Sequence, residues 1–257
     1  MIPKVIHYCW FGRKKKPKLV RDCISSWKKF LPDYEIIEWN DKNSDLNNPF
    51  VEYFYKQKKW AFVSDYIRLK VLYEFGGIYL DTDMLVIKKF DDLLNEKTFL
   101  GTENNQYISA GIIGTIKNNL FIKNCLYEYD KIELSDAIFD ITIPKIITNV
   151  FKNHYVITDF REIVRVDDVT IFPREYFYPF PETEKTNQNL AISYIVKETY
   201  AIHLWHGSWL EYSEFHYFRV GHFCKGIKKI ISSKENKFSL AYYRKLVSCI
   251  IQFVKTK

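Results

Sequence analysis

The sequence lacks the features of several protein classes. Its five cysteines are scattered and odd in number, and no C-x-x-C pair occurs, which argues against a disulfide framework and a cysteine-based zinc site. No apolar run approaches the roughly 18 residues that a membrane span requires. The opening segment, MIPKVIHYCWFG, lacks the charged and then apolar layout of a signal peptide. We therefore expect a cytoplasmic protein in a reducing compartment.

The composition is that of a globular chain whose charge is unevenly placed. Apolar residues make up 47% and aromatic residues 18% of the 257 residues, enough for one large core. Residues 219–257 contain ten Lys or Arg and one acid, Glu235, so this tail carries +9 while the whole chain carries +7. The remainder is slightly acidic and shows no recognisable nucleic-acid-binding module, so we expect no nucleic-acid partner.

The hydrophobic pattern predicts an α/β domain with a mainly parallel sheet, because strands and helices alternate over the first hundred residues. Apolar segments predict strands at 4–10, 34–39, 78–80 and 84–87, and more weakly at 97–101, 110–115, 154–158 and 200–205. Helical patterns occupy 17–30, 49–57, 60–75, 119–130 and 142–151. We divide the chain into a domain at 1–218 and a basic amphipathic helical tail at 219–257.

Two aspartates follow one of the most apolar strands. Asp81 and Asp83 come directly after Leu80, and ligands of α/β sheets bind beyond the carboxyl ends of strands. Side chains at positions i and i+2 of extended backbone point the same way, so both carboxylates can reach one cation. Oxygen ligands suit Mg²⁺ or Mn²⁺ bound to substrate phosphates. The alternative is a solvated turn at the end of the strand.

An acid and an arginine precede this strand on the helix at 60–75. Asp65 and Arg68 stand three residues apart and therefore share a helix face, and Gly76-Gly77 marks the helix end. Beside a cation and a diphosphate, this pair could hydrogen-bond the hydroxyl groups of a sugar. The alternative is a surface ion pair worth less than about 1 kcal/mol.

The segment SDYIRLKVLYEFGGIYLDTDM, residues 64–84, resembles a block of glycosyltransferase family 32, which includes initiating mannosyltransferases and bacterial capsule or lipopolysaccharide sugar transferases. The block also occurs in the large clostridial glucosylating toxins. The opening IPKVIHYCWFG and the later AIHLWHGSW resemble the first strand and the C-terminal loop of the same family. The tail falls outside the resemblance.

The resemblance implies a fold and a set of donor-binding residues. The fold is the GT-A type, an α/β sandwich that binds a nucleotide-sugar and a divalent metal. Trp10 matches the aromatic residue that stacks on the nucleobase, and Asp65 and Arg68 match the pair that grips the donor sugar. Asp81 matches the aspartate that reaches ribose, sugar or metal, and Asp83 matches the direct metal ligand. Trp10 could instead be a core residue.

The C-terminal loop would complete the site. His203 stands where such enzymes often supply a later metal ligand, and Ser208 and Trp209 are neighbours that could contact the diphosphate. The resemblance leaves open whether His203 or His206 faces the metal. A histidine at a strand end is often structural, so that reading also stays open.

The implied activity is transfer of a sugar, with retention of its anomeric configuration, to a polysaccharide or lipid-linked saccharide. UDP-sugars are favoured over GDP-sugars as donors, and a role in bacterial capsule, lipopolysaccharide or exopolysaccharide synthesis is expected. The basic tail suits the anionic inner face of a cell membrane, or a helix packed on the domain. Two alternatives are a phosphatase of the haloacid dehalogenase type, which also places D-x-D after a strand, and a non-catalytic sugar-nucleotide-binding protein.

Overall fold

The computed structural model describes residues 1–104, 106–132, 142–207, 218, 223–232 and 240–255. The strands are β1 (Val5–Cys9), β2 (Glu35–Trp39), β3 (Gly77–Leu80), β4 (Met84–Val86), β5 (Thr98–Thr102), β6 (Ile108–Thr115), β7 (Val164–Val166), β8 (Val169–Phe172) and β9 (Ala201–His203). The α-helices are α1 (Lys18–Phe30), α2 (Pro49–Lys56), α3 (Trp60–Phe75), α4 (Leu120–Asp130), α5 (Ile143–His154), α6 (Phe223–Ser232) and α7 (Leu240–Lys255).

Within these described ranges, seven strands form one sheet in the order β2-β1-β3-β6-β5-β8-β7. Strands β2, β1, β3, β5 and β8 run in one direction, and β6 and β7 run against them. The two remaining strands, β4 and β9, pair antiparallel in a small separate sheet. The predicted α/β sandwich with a mainly parallel sheet is confirmed, and its assignment to the GT-A type stays a prediction.

The sheet carries a hydrophobic core on each face because its strands alternate their side chains. In β3, Tyr79 belongs to the cluster under α2 to α5, whereas Ile78 and Leu80 belong to the cluster that includes Trp27 of α1. All four residues of β3 are buried, as expected for a strand covered on both sides. The strand that leads to the two aspartates is therefore held rigidly from both faces.

Helix α1 also fixes the short strand β4. The buried indole of Trp27 donates its Nε1–H to the carbonyl oxygen of Met84 at 2.7 Å, and Ser26 Oγ accepts from the amide of Val86 at 3.0 Å. These two side chains satisfy backbone groups of β4 that face away from β9. The segment immediately after the aspartates is thus tied to the core by side-chain hydrogen bonds.

The predicted elements correspond closely to the observed ones in the first 130 residues, with two errors further along. The strand predicted at 154–158 is wrong: α5 runs to His154, and the following segment has no strand partner. Conversely, the β7–β8 hairpin was not predicted. Its turn consists of Asp167 and Asp168, and Asp167 adopts a left-handed φ of 47°. An Asp-Asp turn is a weaker hairpin signal than Asn-Gly or Asp-Gly.

Two compact units are recognised, Met1–His206 and Gly207–Lys257, the second being described at its helices α6 and α7 and at Phe218. The predicted division at 218 and 219 stays a prediction. No helix in the described ranges has the length and apolar character needed to cross a bilayer. Four cysteines in the described ranges, Cys9, Cys23, Cys125 and Cys224, are free thiols.

We expect Trp27→Phe to lower the free energy of unfolding by about 1–3 kcal/mol, because phenylalanine leaves the buried Met84 carbonyl unpaired. Urea unfolding followed by circular dichroism measures the change. Tyr127→Phe, at a ring that is more than half exposed, is the control and should change stability by less than about 0.5 kcal/mol. An unchanged urea midpoint for Trp27→Phe would contradict the role given to this bond.

Candidate functional site

The two aspartates occupy a tight turn between β3 and β4. The amide of Asp81 donates to the carbonyl oxygen of Gly111 in β6 at 2.8 Å, which extends the pairing of β3 by one residue. The amide of Met84 then donates to the carbonyl oxygen of Asp81 at 3.0 Å and closes the turn. Both carboxylates therefore leave one short, hydrogen-bonded segment at the carboxyl end of a buried strand.

A histidine from a distant part of the sequence joins them. Strand β9 pairs with β4 so that His203 lies opposite Met84. Its Nε2 lies 3.2 Å from Oδ1 of Asp83 and 4.0 Å from Oδ2 of Asp81. One ligand atom from each of the three side chains lies within 4.8 Å of the others, a spacing at which they could share one metal ion.

The charges of this cluster hold one another in place. Burial by itself raises the pKa of Asp83, but the charge and hydrogen bond of His203, together with backbone hydrogen bonds such as that from His206, bring the pKa to about 2. Burial by itself lowers the pKa of His203, but the charge and hydrogen bond of Asp83, together with the charges of Asp81 and Glu103, raise the pKa above its usual value. The imidazole, when protonated, and the carboxylate of Asp83 therefore stabilise each other.

Arg68 and Asp65 lie directly beside the cluster. The guanidinium of Arg68 contacts Oδ1 of Asp65 at 2.8 Å and Oδ1 of Asp81 at 3.2 Å, and it donates to the carbonyl oxygen of Ala110 at 2.7 Å. Their side chains are 6% and 13% exposed, so the alternative of a surface ion pair is wrong. Burial raises the pKa of Asp65 to about 7, against the opposing effect of Arg68.

Neighbouring groups leave one oxygen of each aspartate turned toward His203. Oδ1 of Asp81 is taken by Arg68 and by the Tyr79 hydroxyl, which donates to it at 3.2 Å. Oδ2 of Asp83 accepts the backbone N–H of His206 at 2.8 Å. The oxygens nearest His203 are Oδ2 of Asp81 and Oδ1 of Asp83. Partners of this kind orient ligand side chains around a metal.

This donor set fits a divalent cation. Two carboxylate oxygens and an imidazole nitrogen suit Mn²⁺, and Mg²⁺ accepts the carboxylates. The sequence left open whether His203 or His206 faces the metal. In the structure the ring of His203 lies beside the two aspartates, whereas His206 donates its backbone N–H to Asp83. The assignment of Asp81, Asp83 and His203 as metal ligands stays a prediction that this geometry fits.

Three further residues were predicted to contact the nucleotide, and of these the structure describes Trp10 but not Ser208 or Trp209. Trp10 follows β1, is partly buried, and donates its indole N–H to the carbonyl oxygen of Lys14 at 2.7 Å. The ammonium of Lys16 lies 5.5 Å from its ring centre. Stacking on a nucleobase stays a prediction for Trp10. Ser208 and Trp209 lie outside the described residues, so their contact with a diphosphate also stays a prediction.

The structure adds residues that the sequence did not single out. The buried hydroxyl of Tyr178 accepts the amide of Ile112 at 3.0 Å, and its ring packs edge-on to His203 with ring centres 5.7 Å apart. A Cβ on Gly111 would lie 3.0 Å from that hydroxyl and 3.2 Å from Oδ2 of Asp81. A glycine within a strand can signal such a close approach. The aromatic-rich segment FPREYFYPF, residues 172–180, has no sequence feature that predicts the contact of Tyr178 with His203.

Glu103, just beyond β5, is a third acid of this region. Burial raises the pKa of its carboxyl, while the charge of His203 and the hydroxyl of Ser109 oppose the rise. The raised pKa favours the neutral form of this carboxyl relative to an exposed one.

Comparisons with known proteins give one family match and several similar sequences. Residues 17–100 match the family described as "Glycosyltransferase sugar-binding region containing DXD motif". Mouse lactosylceramide 4-alpha-galactosyltransferase is 30% identical over 148 residues, which cover 56% of this chain and 40% of that protein. Human alpha-1,4-N-acetylglucosaminyltransferase is 25% identical over 190 residues, covering 69% and 50%. The chain thus spans half or less of the length of these two relatives.

Two solved structures are also similar. The PaToxG glycosyltransferase has a TM-score of 0.48 and 20% identity, covering 60% of this chain and 70% of that one. The galactosyltransferase LgtC, solved with donor and acceptor sugar analogues, has a TM-score of 0.41 and 14% identity, covering 94% and 99%.

We expect the affinity for Mn²⁺ to fall as the pH decreases from 8 to 6, by up to about tenfold per pH unit. The raised pKa of His203 means that the ion must displace a proton from the ring at the lower pH. Titration calorimetry in two buffers of different ionisation enthalpy measures both the affinity and the proton release.

His203→Gln should bind Mn²⁺ more weakly and lose most of the pH dependence. The matched control is His154→Gln, because His154 ends α5 away from the acids and should leave both properties unchanged. A His203→Gln variant that keeps the pH dependence of the unmodified protein would show that its imidazole does not bind the ion.

Proposed function

We propose that this chain, which belongs to glycosyltransferase family 32, transfers a sugar from a nucleotide-sugar donor to a saccharide acceptor with the help of a divalent cation. The observation that carries the proposal is the convergence of Asp81, Asp83 and His203 at the carboxyl end of β3. Asp83 is buried, Asp81 is partly buried, and neighbouring groups hold both carboxylates, which a solvated turn would not show.

The chemical difficulty in such a transfer is the departure of a nucleoside diphosphate from the anomeric carbon. A bound Mn²⁺ or Mg²⁺ would neutralise charge on the departing phosphates, a contribution of several kcal/mol. The protein's own task is to hold the ligands still. Arg68 and Tyr79 fix Asp81, and the amide of His206 fixes Asp83, so that both carboxylates keep one oxygen facing the ion.

Arg68 and Asp65 would also position the donor sugar. Their side chains are almost fully buried, so at most a few of their atoms face the site. The guanidinium is already held by three neighbours, which leaves it little freedom to reorganise during the reaction. Their contribution is therefore orientation of the sugar, which would bind to charged side chains whose positions are already fixed.

Several finer features belong to the proposal. The names of the relatives include a ceramide acceptor and alpha linkages, which supports a lipid-linked saccharide acceptor and retention of configuration in this chain. UDP-sugars as donors, a role in bacterial capsule, lipopolysaccharide or exopolysaccharide synthesis, and a cytoplasmic site of action at the membrane are proposed from the resemblance of the motif. For retention we favour attack by the acceptor hydroxyl on the face from which the diphosphate leaves.

A phosphatase of the haloacid dehalogenase type is not favoured. Such an enzyme needs the first aspartate of the pair as a free nucleophile, whereas Oδ1 of Asp81 is held by Arg68 and Tyr79. The family match also includes the helix with Asp65 and Arg68, which a phosphatase would leave unexplained.

We expect slow release of the nucleoside diphosphate from one of a panel of UDP- and GDP-sugars with Mn²⁺, and none with a chelator. Asp83→Asn should lower the rate by about 10³-fold or more, because the variant loses a metal ligand without changing shape. Asp159→Asn, at an exposed acid paired with Arg161, is the matched control.

Other outcomes distinguish the alternatives. Release of inorganic phosphate from phosphomonoesters would indicate the phosphatase, and nucleotide-sugar binding without turnover would indicate a non-catalytic binder. With the donor identified and an acceptor supplied, the anomeric configuration of the product, read by NMR, decides between retention and inversion.

We also propose that the tail, residues 219–257, contacts an anionic membrane surface. In α7 the side chains of Tyr243, Val247 and Ile251 are each about half exposed and lie four residues apart, so they form one apolar stripe. In α6, Ile227 and Ile231 form a second exposed pair. Apolar stripes within a segment of charge +9 are typical of helices that lie at a membrane interface.

The full chain should therefore sediment with vesicles containing phosphatidylglycerol and not with phosphatidylcholine vesicles. Each reversal of charge in Lys228→Glu and Arg244→Glu should weaken binding about fivefold or more, since a basic residue near such a surface contributes about 1 kcal/mol. Lys123→Glu, on α4, is the matched control. Equal binding by the tail variants and the unmodified chain would contradict this role.

A further inference from the structure

His7 is a fully buried histidine that the proposed reaction does not use. It lies in β1, and both of its ring nitrogens have partners. Nε2 is 2.8 Å from the carbonyl oxygen of Gly76, and Nδ1 is 3.1 Å from Nε1 of Trp39. An indole nitrogen only donates, so Nδ1 must accept and Nε2 must carry the proton. The ring is therefore neutral, in one tautomer, and donates to Gly76.

The partner of His7 is the joint between α3 and β3. Gly76 ends α3 with a left-handed φ of 68°, and Gly77 begins β3 with a φ of 100°. A Cβ on Gly77 would lie 2.9 Å from Nε2 of His7 and 2.8 Å from the carbonyl oxygen of Val5. The joint thus has no room for a side chain, and His7 is packed directly against it.

This joint connects the two halves of the site. Helix α3 carries Arg68, β3 leads to Asp81, and their contact at 3.2 Å crosses from one element to the other. The backbone pairing of β1 with β3 involves two residue pairs, Ile6 with Ile78 and His7 with Tyr79. The hydrogen bond from His7 adds a directional side-chain contact at the end of the helix, beside that short pairing.

We propose that His7 is a positioning residue. Its Nε2–H bond to Gly76, in the tautomer set by Trp39, fixes α3 against β3 and thereby fixes the Arg68 guanidinium against the Asp81 carboxylate. This inference rests on the proposed function only for its effect on catalysis. The structural part, a dependence of the Arg68–Asp81 distance on the His7 hydrogen bond, holds or fails independently of what the protein catalyses.

The test compares variants that keep or remove the bond. His7→Leu fills much of the space but leaves Gly76 and Trp39 unpaired, whereas His7→Gln retains one donor and one acceptor. We expect His7→Leu to lower kcat for metal-dependent donor hydrolysis by about tenfold to a hundredfold, with the KM for the donor changed less. His7→Gln should recover at least a third of the original kcat.

The matched control is Thr170→Val. Thr170 is a buried polar residue of β8 whose hydroxyl donates to Glu96 at 2.6 Å, on the opposite side of the sheet order from β1. This variant should lower the unfolding temperature, as His7→Leu does, without lowering kcat at temperatures where both are folded. Equal losses of kcat in His7→Leu and Thr170→Val would contradict the proposal and show that His7 contributes to stability alone.

A double-variant cycle connects His7 to its target. If His7 acts through Arg68, the kcat of His7→Leu combined with Arg68→Lys should be close to that of Arg68→Lys alone. Thr170→Val combined with Arg68→Lys should behave additively. Additive losses for the His7 pair would overturn the proposal.

Crystal structures provide a readout that needs no activity. In His7→Leu the distance between Nη1 of Arg68 and Oδ1 of Asp81 should change by more than about 0.5 Å, the tolerance of a positioned site, and in Thr170→Val it should not. If His7→Leu does not fold, Trp39→Phe, which frees the tautomer of His7, replaces it with a smaller expected change. An unchanged distance overturns the proposal, and a changed distance without hydrolysis of any donor overturns only the proposed function.

Discussion

A buried guanidinium between two carboxylates is the interaction on which the site depends. Arg68 lies between Asp65 and Asp81, with the ring of Tyr79 4.5 Å from it, and it is almost inaccessible to water. Removing one partner from such an arrangement leaves a buried charge uncompensated, which is costly. These three charged groups stay together because α3 carries Asp65 and Arg68, the Gly76-Gly77 joint connects α3 to β3, and the register of β3 places Asp81 beside Arg68.

The second condition is that two more carboxylate oxygens face one another at the end of β3. Like charges at this spacing repel, and they are held by backbone hydrogen bonds and by an imidazole. The protonated form of His203 and a divalent cation are alternative ways of balancing the same charge. Binding of the proposed cation would therefore be linked to loss of this proton.

The sequence predicted the parts of the site that depend on local pattern. A helix with Asp65 and Arg68 on one face, a glycine pair and a strand ending in Asp81 and Asp83 are all visible within 24 residues of chain. Their burial was not visible, because it depends on β6 and on helices far along the chain. The same holds for Tyr178, whose hydroxyl reaches Ile112 across 66 positions. Contacts of that range leave no periodicity in the sequence.

His203, the predicted third metal ligand, lies on the small sheet of β4 and β9 and not on the main sheet. His203 is joined to the aspartates through three residue pairs that are not part of the main sheet, and it lies well beyond the segment that matches the family. The segment that bears this side chain can therefore vary while Arg68 and Asp81, which are held from α3 and β6, stay where they are. At the proposed metal site, the residue opposite the two aspartates could thus be exchanged without rebuilding the core.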